Sequence, residues 1–256
     1  LYEGRQHVRL INESLDCAQA MQELIRMGVE TIITFDAHDN RVQNAIPNNG
    51  FDNFFTSYQF ISTILNDMPD LIVDNEHLMT ISPDEGGMRR AVFYSNQLGV
   101  DMGMFFKRRN YSTLVNGEHP VISMEFLGND VSGKDVIIVD DMIASGKTVL
   151  EVAKELKKRN AARVIICATF GLFNDGLEEL DQAYKEKVFD HIYTTNLCYC
   201  PSALKERPYY HNVDLSRYIA LIIDTLNHDT SVNDIMNATK RIQELLEERS
   251  KNISSK

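Results

Sequence analysis

The 256 residues carry a formal net charge of −11, with 43% hydrophobic and 25% charged side chains. That balance fits a packed, soluble core in one large or two smaller domains. It argues against free nucleic acid as a partner, because phosphate backbones demand a basic face. No apolar run reaches the ~20 residues that span a bilayer, so no membrane partner is expected. No signal peptide is visible. The chain starts at Leu1 rather than Met, so its natural start is expected upstream. Four cysteines (Cys17, Cys167, Cys198, Cys200) are too few for a disulfide scaffold. The lone Cys198-Tyr199-Cys200 pair lacks the further ligands of a structural zinc site. The thiols therefore read as buried groups in a reducing cytoplasm.

The first element is a helix over 14–27, with Cys17, Ala20, Met21 and Leu24 on one face and Gly28 as its stop. A buried β run at 29–35 follows and ends in Asp36-Ala37-His38-Asp39. Residues 51–56 read as a loop or short strand, and 57–68 as a helix. Short apolar runs at 78–81, 101–106, 121–127, 136–139 and 164–169 then alternate with helical stretches at 89–98 and 148–159. Strands alternating with helices predict an α/β fold with a mostly parallel sheet. The tail from 231 onward reads as a polar helix.

The most informative segment runs over 135–148, where an apolar strand feeds Asp140 and Asp141, then Ala144-Ser145-Gly146-Lys147-Thr148, then a helix. Backbone amides converging at a helix N-terminus favour an anion, and Gly146 permits close approach of the chain to a phosphate. The two acids sit where α/β ligands bind, ready for sugar hydroxyls or Mg²⁺. Gly146-Lys147-Thr148 imitates the end of a Walker A loop, but the glycine required five residues earlier is Asp141. That argues against a P-loop NTPase.

This segment resembles the PRPP-binding motif of type I phosphoribosyltransferases and of ribose-phosphate pyrophosphokinases. Other segments resemble the pyrophosphokinases alone. Tyr2 to Arg9 is similar to their YxRQDR segment, with His7 in place of Asp, and implies ATP-binding roles for Arg5 and Gln6. Thr34 to His38 resembles TxDxH, which implies that His38 lies at the ATP and Mg²⁺ site. Ser82-Pro83-Asp84-Glu85-Gly86-Gly87 resembles the SPDxGG diphosphate loop, with Asp84 placed to reach the metal and Gly86 and Gly87 opening amides to the diphosphate. Phe106 to Arg109 resembles the DKRR root of a mobile catalytic loop, with Phe106 for Asp, and implies catalytic roles for Lys107 and Arg109. In the phosphate loop Ala144 replaces an acid and Lys147 is added.

The resemblance implies tandem type I phosphoribosyltransferase-like α/β domains with mostly parallel sheets, the first of them incomplete. Residues 1–55 would be the remainder of the first domain and 56–256 the second, with its C-terminal helix. On the order of 100 residues would precede them. The implied reaction transfers the diphosphoryl group of ATP to ribose 5-phosphate with Mg²⁺ as cofactor, in a cytoplasmic homo-oligomer. Two alternatives stay open: a phosphoribosyltransferase that uses PRPP and a base, and a non-catalytic subunit of a synthetase.

Overall fold

The computed structural model describes residues 14–109 and 121–254. Two compact units divide the chain at Thr56 and Ser57. In the first unit, helix α1 (Asp16–Arg26) leads into strand β1 (Thr31–Phe35), a 3₁₀ turn (Asn40–Ala45) and strand β2 (Gly50–Phe54). β1 and β2 pair in parallel, Thr31 opposite Gly50 and Phe35 opposite Phe54. Met21 on α1 packs with Val42 and Ile46, and Ile32 and Phe51 close on them. The expectation of a buried β1 needs correction. Ile33 is 40% exposed and Thr31 is also outward, because this two-stranded sheet packs on one face only within its unit. Of the segment read as a loop or short strand at 51–56, the part up to Phe54 belongs to strand β2.

The second unit contains helix α2 (Ser57–Asp67), strand β3 (Leu78–Ser82), helix α3 (Met88–Leu98) and strands β4 (Asp101–Arg109), β5 (Val121–Leu127) and β6 (Asp135–Ile143). Helix α4 (Lys147–Lys158), strand β7 (Val164–Gly171), helix α5 (Glu178–Lys185), strand β8 (His191–Thr195), helix α6 (Ser202–Lys205) and strand β9 (Tyr210–Val213) follow. Helices α7 (Ser216–Asn227), α8 (Asn233–Met236) and α9 (Ala238–Ser254) end the unit. Seven strands form one sheet in the order β5-β4-β3-β6-β7-β8-β9. All neighbouring pairs are parallel except β4 with β5. The mostly parallel α/β sheet read from the sequence is thus the one observed.

Central strands are apolar along their length, as strands covered on both faces must be. Every residue of β3 is buried, and so is every residue of β7 except Phe170. The apolar stripe of α4, Val149, Val152, Ala153 and Leu156, is fully inside. Helix α9 is tied down by Arg249, whose guanidinium donates to the carbonyls of Leu65, Met68, Pro69 and Leu71 at 2.6–3.1 Å. These are the last turn of α2 and the loop beyond it, so one cation satisfies a frayed helix end.

Two strands run further than their apolar cores. β4 does not stop at Phe106 but continues to Arg109, so Lys107 lies within a strand. The reason is the antiparallel partner: β4 pairs with β3 only over Asp101 to Met104, then with β5 alone from Met104 to Arg109. A two-stranded ribbon, with Lys107 opposite Met124, thereby projects past the carboxyl end of β3. The stretch at 110–117 read as a mobile loop lies outside the described residues. β6 likewise continues through the acids to Ile143. Asp140 still pairs with Ala168 of β7, whereas the β3 ladder ends at Ile138. The acids therefore stand in the sheet on one side and clear of it on the other.

Candidate active site

The carboxyl edge of the seven-stranded sheet brings three segments into one region, all within the second unit. The β3–α3 loop comes first. Ser82 Oγ donates to the carbonyl of Asp84 at 2.7 Å, and the N–H of Gly87 donates to Asp84 Oδ1 at 3.1 Å. The Asp84 carboxylate thus organises its own loop, which is an Asx-type turn, while the residue stays exposed. Gly87 is buried, and a Cβ there would lie 2.8 Å from Ser82 Oγ and 3.5 Å from the Val139 carbonyl. A side chain here would press on the Ser82 hydroxyl at the end of β3, whereas its distance to β6 is an ordinary contact. Gly86 is exposed beside it.

The acid pair is the second segment. Asp141 is 4% exposed, and its N–H donates to Asp140 Oδ1 at 2.9 Å. Burial raises the Asp140 carboxyl well above the usual carboxylate range, and the adjacent Asp141 carboxylate raises it further. Arg90 in the first turn of α3 partly offsets this, with Nη1 at 3.9 Å from Asp140 Oδ1. With Arg90 3.9 Å away and a second acid beside it, the charged form of the half-buried Asp140 is short of stabilisation. A sugar hydroxyl or a divalent cation would supply what is lacking.

That shortage makes a stability prediction. A carboxyl whose folded pKa is raised contributes stability that is full below the usual carboxylate range and lost as pH rises through the raised value. Asp140→Asn keeps an acceptor for the Asp141 N–H and removes the charge. The variant should melt about 2–4 °C above the parent at pH 7, the shift that ~1 kcal/mol produces in a domain of this size. The gap should close towards pH 4. Melting curves across that range decide, and an equal gap at every pH would show that charge is not the cause.

The phosphate loop is the third segment. Gly146 holds φ at +91° as the residue before α4. The carbonyls of Ile143 and Ala144 are taken from behind: Leu172 N–H and Phe173 N–H donate to Ile143, and Asn174 N–H donates to Ala144 at 2.8 Å. With its carbonyls held by the β7–α5 connection, the loop has the first-turn amides of α4 left to face outward, since these lack partners within the helix. Ser145 Oγ accepts weakly from Lys147 N–H at 3.4 Å, and Ala144, Ser145 and Thr148 are half-buried. Lys147 is exposed, with Nζ 2.8 Å from Asp175 Oδ2.

On the β4–β5 ribbon, Lys107 Nζ donates to Glu151 Oε2 of α4 at 2.8 Å, one helical turn beyond the phosphate loop. Arg109 has its backbone at the ribbon's end, past a register shift between Arg108 and Arg109. In the first unit, His38 is exposed after β1. Asp36 is buried at φ +48°, and its N–H donates to the Phe54 carbonyl at 2.9 Å. Asp39 caps the 3₁₀ turn, accepting from Arg41 N–H at 2.8 Å. Arg5 and Gln6 lie outside the described residues.

Four residues at this edge were not singled out in the sequence: Arg90, Glu151, Asn174 and Asp175. Arg90 had a signal, since an arginine in the first turn after a glycine loop faces the end of the adjoining strand. The others depend on which helix and which connection neighbour the loop, which spacing alone does not give. The cysteines are bystanders. Cys198 Sγ contacts the Gly171 carbonyl at 3.4 Å and Cys200 Sγ the Tyr210 hydroxyl at 3.3 Å. Burial pushes the Cys167 and Cys198 thiols up, away from reactivity.

Residues 56–202 match the family described as the phosphoribosyl transferase domain. A ribose-phosphate pyrophosphokinase of Vibrio parahaemolyticus is 30% identical over 220 residues, which cover 84% of this chain and 63% of that protein. One of Mycoplasma genitalium is 31% identical over 176 residues, covering 68% of this chain and 48% of that protein. The chain thus spans from about half to less than two thirds of the length of these relatives. The phosphoribosylpyrophosphate synthetase of Mycobacterium smegmatis superposes with a TM-score of 0.71 at 22% identity, over 86% of this chain and 66% of that one, and so shares the fold. Residues 56–202 span the glycine loop, the acid pair and the phosphate loop, and on that match the chain belongs to the phosphoribosyl transferase domain family.

Proposed function

We propose that this chain carries the ribose 5-phosphate and diphosphate sites of a ribose-phosphate diphosphokinase. ATP and ribose 5-phosphate would give PRPP and AMP. The observation that carries the reading is the convergence of a glycine loop, an acid pair and a helix-capping phosphate loop on one sheet edge. The C1 hydroxyl oxygen forms a bond to the β-phosphorus, the bond from that phosphorus to the bridging oxygen of the α-phosphate breaks, and AMP leaves with the bridging oxygen. The hydroxyl proton passes to solvent or a nearby base. Chemistry of this kind is positioning and charge neutralisation.

The residues divide the work. The amides of Ala144 to Thr148 seat the 5-phosphate, and Lys147 adds a charge at the rim. Asp140 and Asp141 accept from the ribose hydroxyls and orient C1. The Asp84 to Gly87 loop, its Gly87 N–H held by Asp84 Oδ1, faces the diphosphate through Gly86. Lys107 and Arg109 neutralise the transferring group, while Arg5, Gln6 and His38 serve ATP. Mg²⁺ fits the donor set at Asp84, an exposed carboxylate beside a glycine loop. Among the described residues no group of three or more histidine, cysteine or acidic side chains closes on a metal point. Magnesium commonly takes one or two carboxylates and completes its shell with phosphate oxygens and water. When bound, it would neutralise charge on the ATP phosphates. His38 is a nitrogen donor, which suits a phosphate or a metal-bound water better than direct ligation of so hard a cation.

We place the protein in the cytoplasm as a homo-oligomer, with residues 1–55 and 56–256 as the two phosphoribosyltransferase-like domains. Among the described residues no helix is long and apolar enough to cross a membrane. The test is an assay of the full-length protein for AMP formed from ATP. AMP that depends on ribose 5-phosphate supports the diphosphokinase. Turnover of PRPP with a free base and no ATP would identify a phosphoribosyltransferase instead.

A further inference from the structure

Lys147 is the unusual member of the phosphate loop, and its partner comes from elsewhere in the chain. The β7–α5 connection, 172–177, wraps behind the loop with two left-handed residues, Phe173 at φ +48° and Gly176 at φ +87°. It gives its N–H groups to the carbonyls of Ile143 and Ala144. The next side chain in that connection, Asp175, meets Lys147 Nζ at 2.8 Å. The fixed backbone clamp thus delivers one carboxylate to the one lysine of the loop. Asp175 holds the Lys147 ammonium charged, and Glu179 of α5 adds a smaller effect of the same sign.

We propose that Asp175 is a specificity-determining residue that acts through Lys147: it cancels the loop's added charge, so that the site accepts a phosphomonoester and disfavours polyphosphate. This rests on the reading of the loop as a phosphomonoester site. The physical argument is one of charge. Amides at a helix N-terminus are fixed partial charges matched to a single phosphate group. A free lysine beside them rewards each further negative charge on the ligand, and an aspartate at contact distance from that lysine removes the reward. In an enzyme that must hold ribose 5-phosphate in one subsite and ATP in another, an unbalanced Lys147 would invite the triphosphate into the sugar-phosphate subsite. Both side chains are more than half exposed. Such pairs add little to stability, so the pairing serves selectivity without being needed for the fold.

The test is calorimetric titration of the full-length protein with inorganic phosphate and with inorganic pyrophosphate, free of divalent metal and at low ionic strength. Asp175→Asn should tighten pyrophosphate by about fivefold or more and phosphate by about twofold or less, which is the scale of one exposed charge. The gain should fade with added salt, vanish in the Asp175→Asn, Lys147→Gln double variant, and be absent in Asp175→Glu. An unchanged pyrophosphate-to-phosphate ratio in Asp175→Asn, or a gain that survives loss of Lys147, overturns the proposal while leaving the phosphate site standing. If the parent protein binds neither anion, the phosphate-site reading fails and this inference with it.

Discussion

Lys107→Ala, made in the full-length protein, should lower kcat by at least ~10²-fold while the KM for ATP changes by less than ~10-fold. The structure gives a physical basis for that split. Lys107 stands on a two-stranded ribbon that overhangs the carboxyl edge of the sheet. Its ammonium is held 2.8 Å from Glu151 and its side chain is only 24% exposed. In the ground state the charge is already satisfied, so little of it is spent on binding ATP. On the proposed assignment, negative charge building on the transferring group would compete with Glu151 for it. An interaction strengthened only in the transition state appears in kcat. Arg109→Ala should behave alike, from the ribbon's end. If both variants keep kcat within a factor of about three, the two cations are a solvated surface pair of the ordinary kind and the catalytic assignment falls.

Gly146→Val should abolish ribose 5-phosphate binding, whereas Lys147→Ala should weaken it only moderately. Gly146 sits at φ +91°, a conformation that L residues adopt at a cost and β-branched ones worst. A Cβ there would meet nothing nearer than Leu180 at 3.5 Å. Crowding by the protein is therefore not the obstacle. Valine would drag the backbone out of its turn, scatter the amides and set a branched side chain where the anion must approach. Calorimetry with ribose 5-phosphate measures the loss, and a fall of at least ~100-fold is expected for an anion site that loses its amide cradle. Gly99→Ala is the control: Gly99 is also left-handed, at φ +66°, with open space around it, but it ends α3 at the opposite edge of the sheet. It should cost comparable stability and leave binding intact. Equal and near-complete losses in Gly146→Val and Lys147→Ala would make the lysine, not the backbone, the anchor.

The sequence spoke most clearly where one physical rule dominates. The apolar stripe of α4, the buried runs of β3 and β7 and the order strand, acids, small residues, helix are each local patterns, and each corresponds to an element in the structure. It spoke less clearly where a neighbour decides. Lys107, Arg108 and Arg109 look like the start of a loop because three cations follow an apolar run. An antiparallel partner on a projecting ribbon keeps all three in a strand, with Lys107 paired to Glu151 and Arg108 exposed. Asp140 and Asp141 likewise look terminal, yet β7 keeps them in the ladder while β3 has already ended. The apolar β1 run suggested burial, yet its residues are at best half-buried, and Thr31 and Ile33 are exposed. The site follows the same division. Its loop residues were legible from glycines and acids in tandem, but Glu151 and Asp175 became visible only once α4 and the β7–α5 connection were placed beside the residues they hold.

The central claim, that this sheet edge serves diphosphoryl transfer to ribose 5-phosphate, is tested most directly by following the β-phosphate of ATP. The full-length protein is incubated with ATP labelled at the β-phosphorus, ribose 5-phosphate and Mg²⁺, and the products are separated. The account predicts that the label leaves the nucleotide and appears on the C1 oxygen of the sugar phosphate, with AMP released in equal amount and no product without ribose 5-phosphate. The same label retained in ADP, or hydrolysis of ATP indifferent to the sugar phosphate, would contradict it.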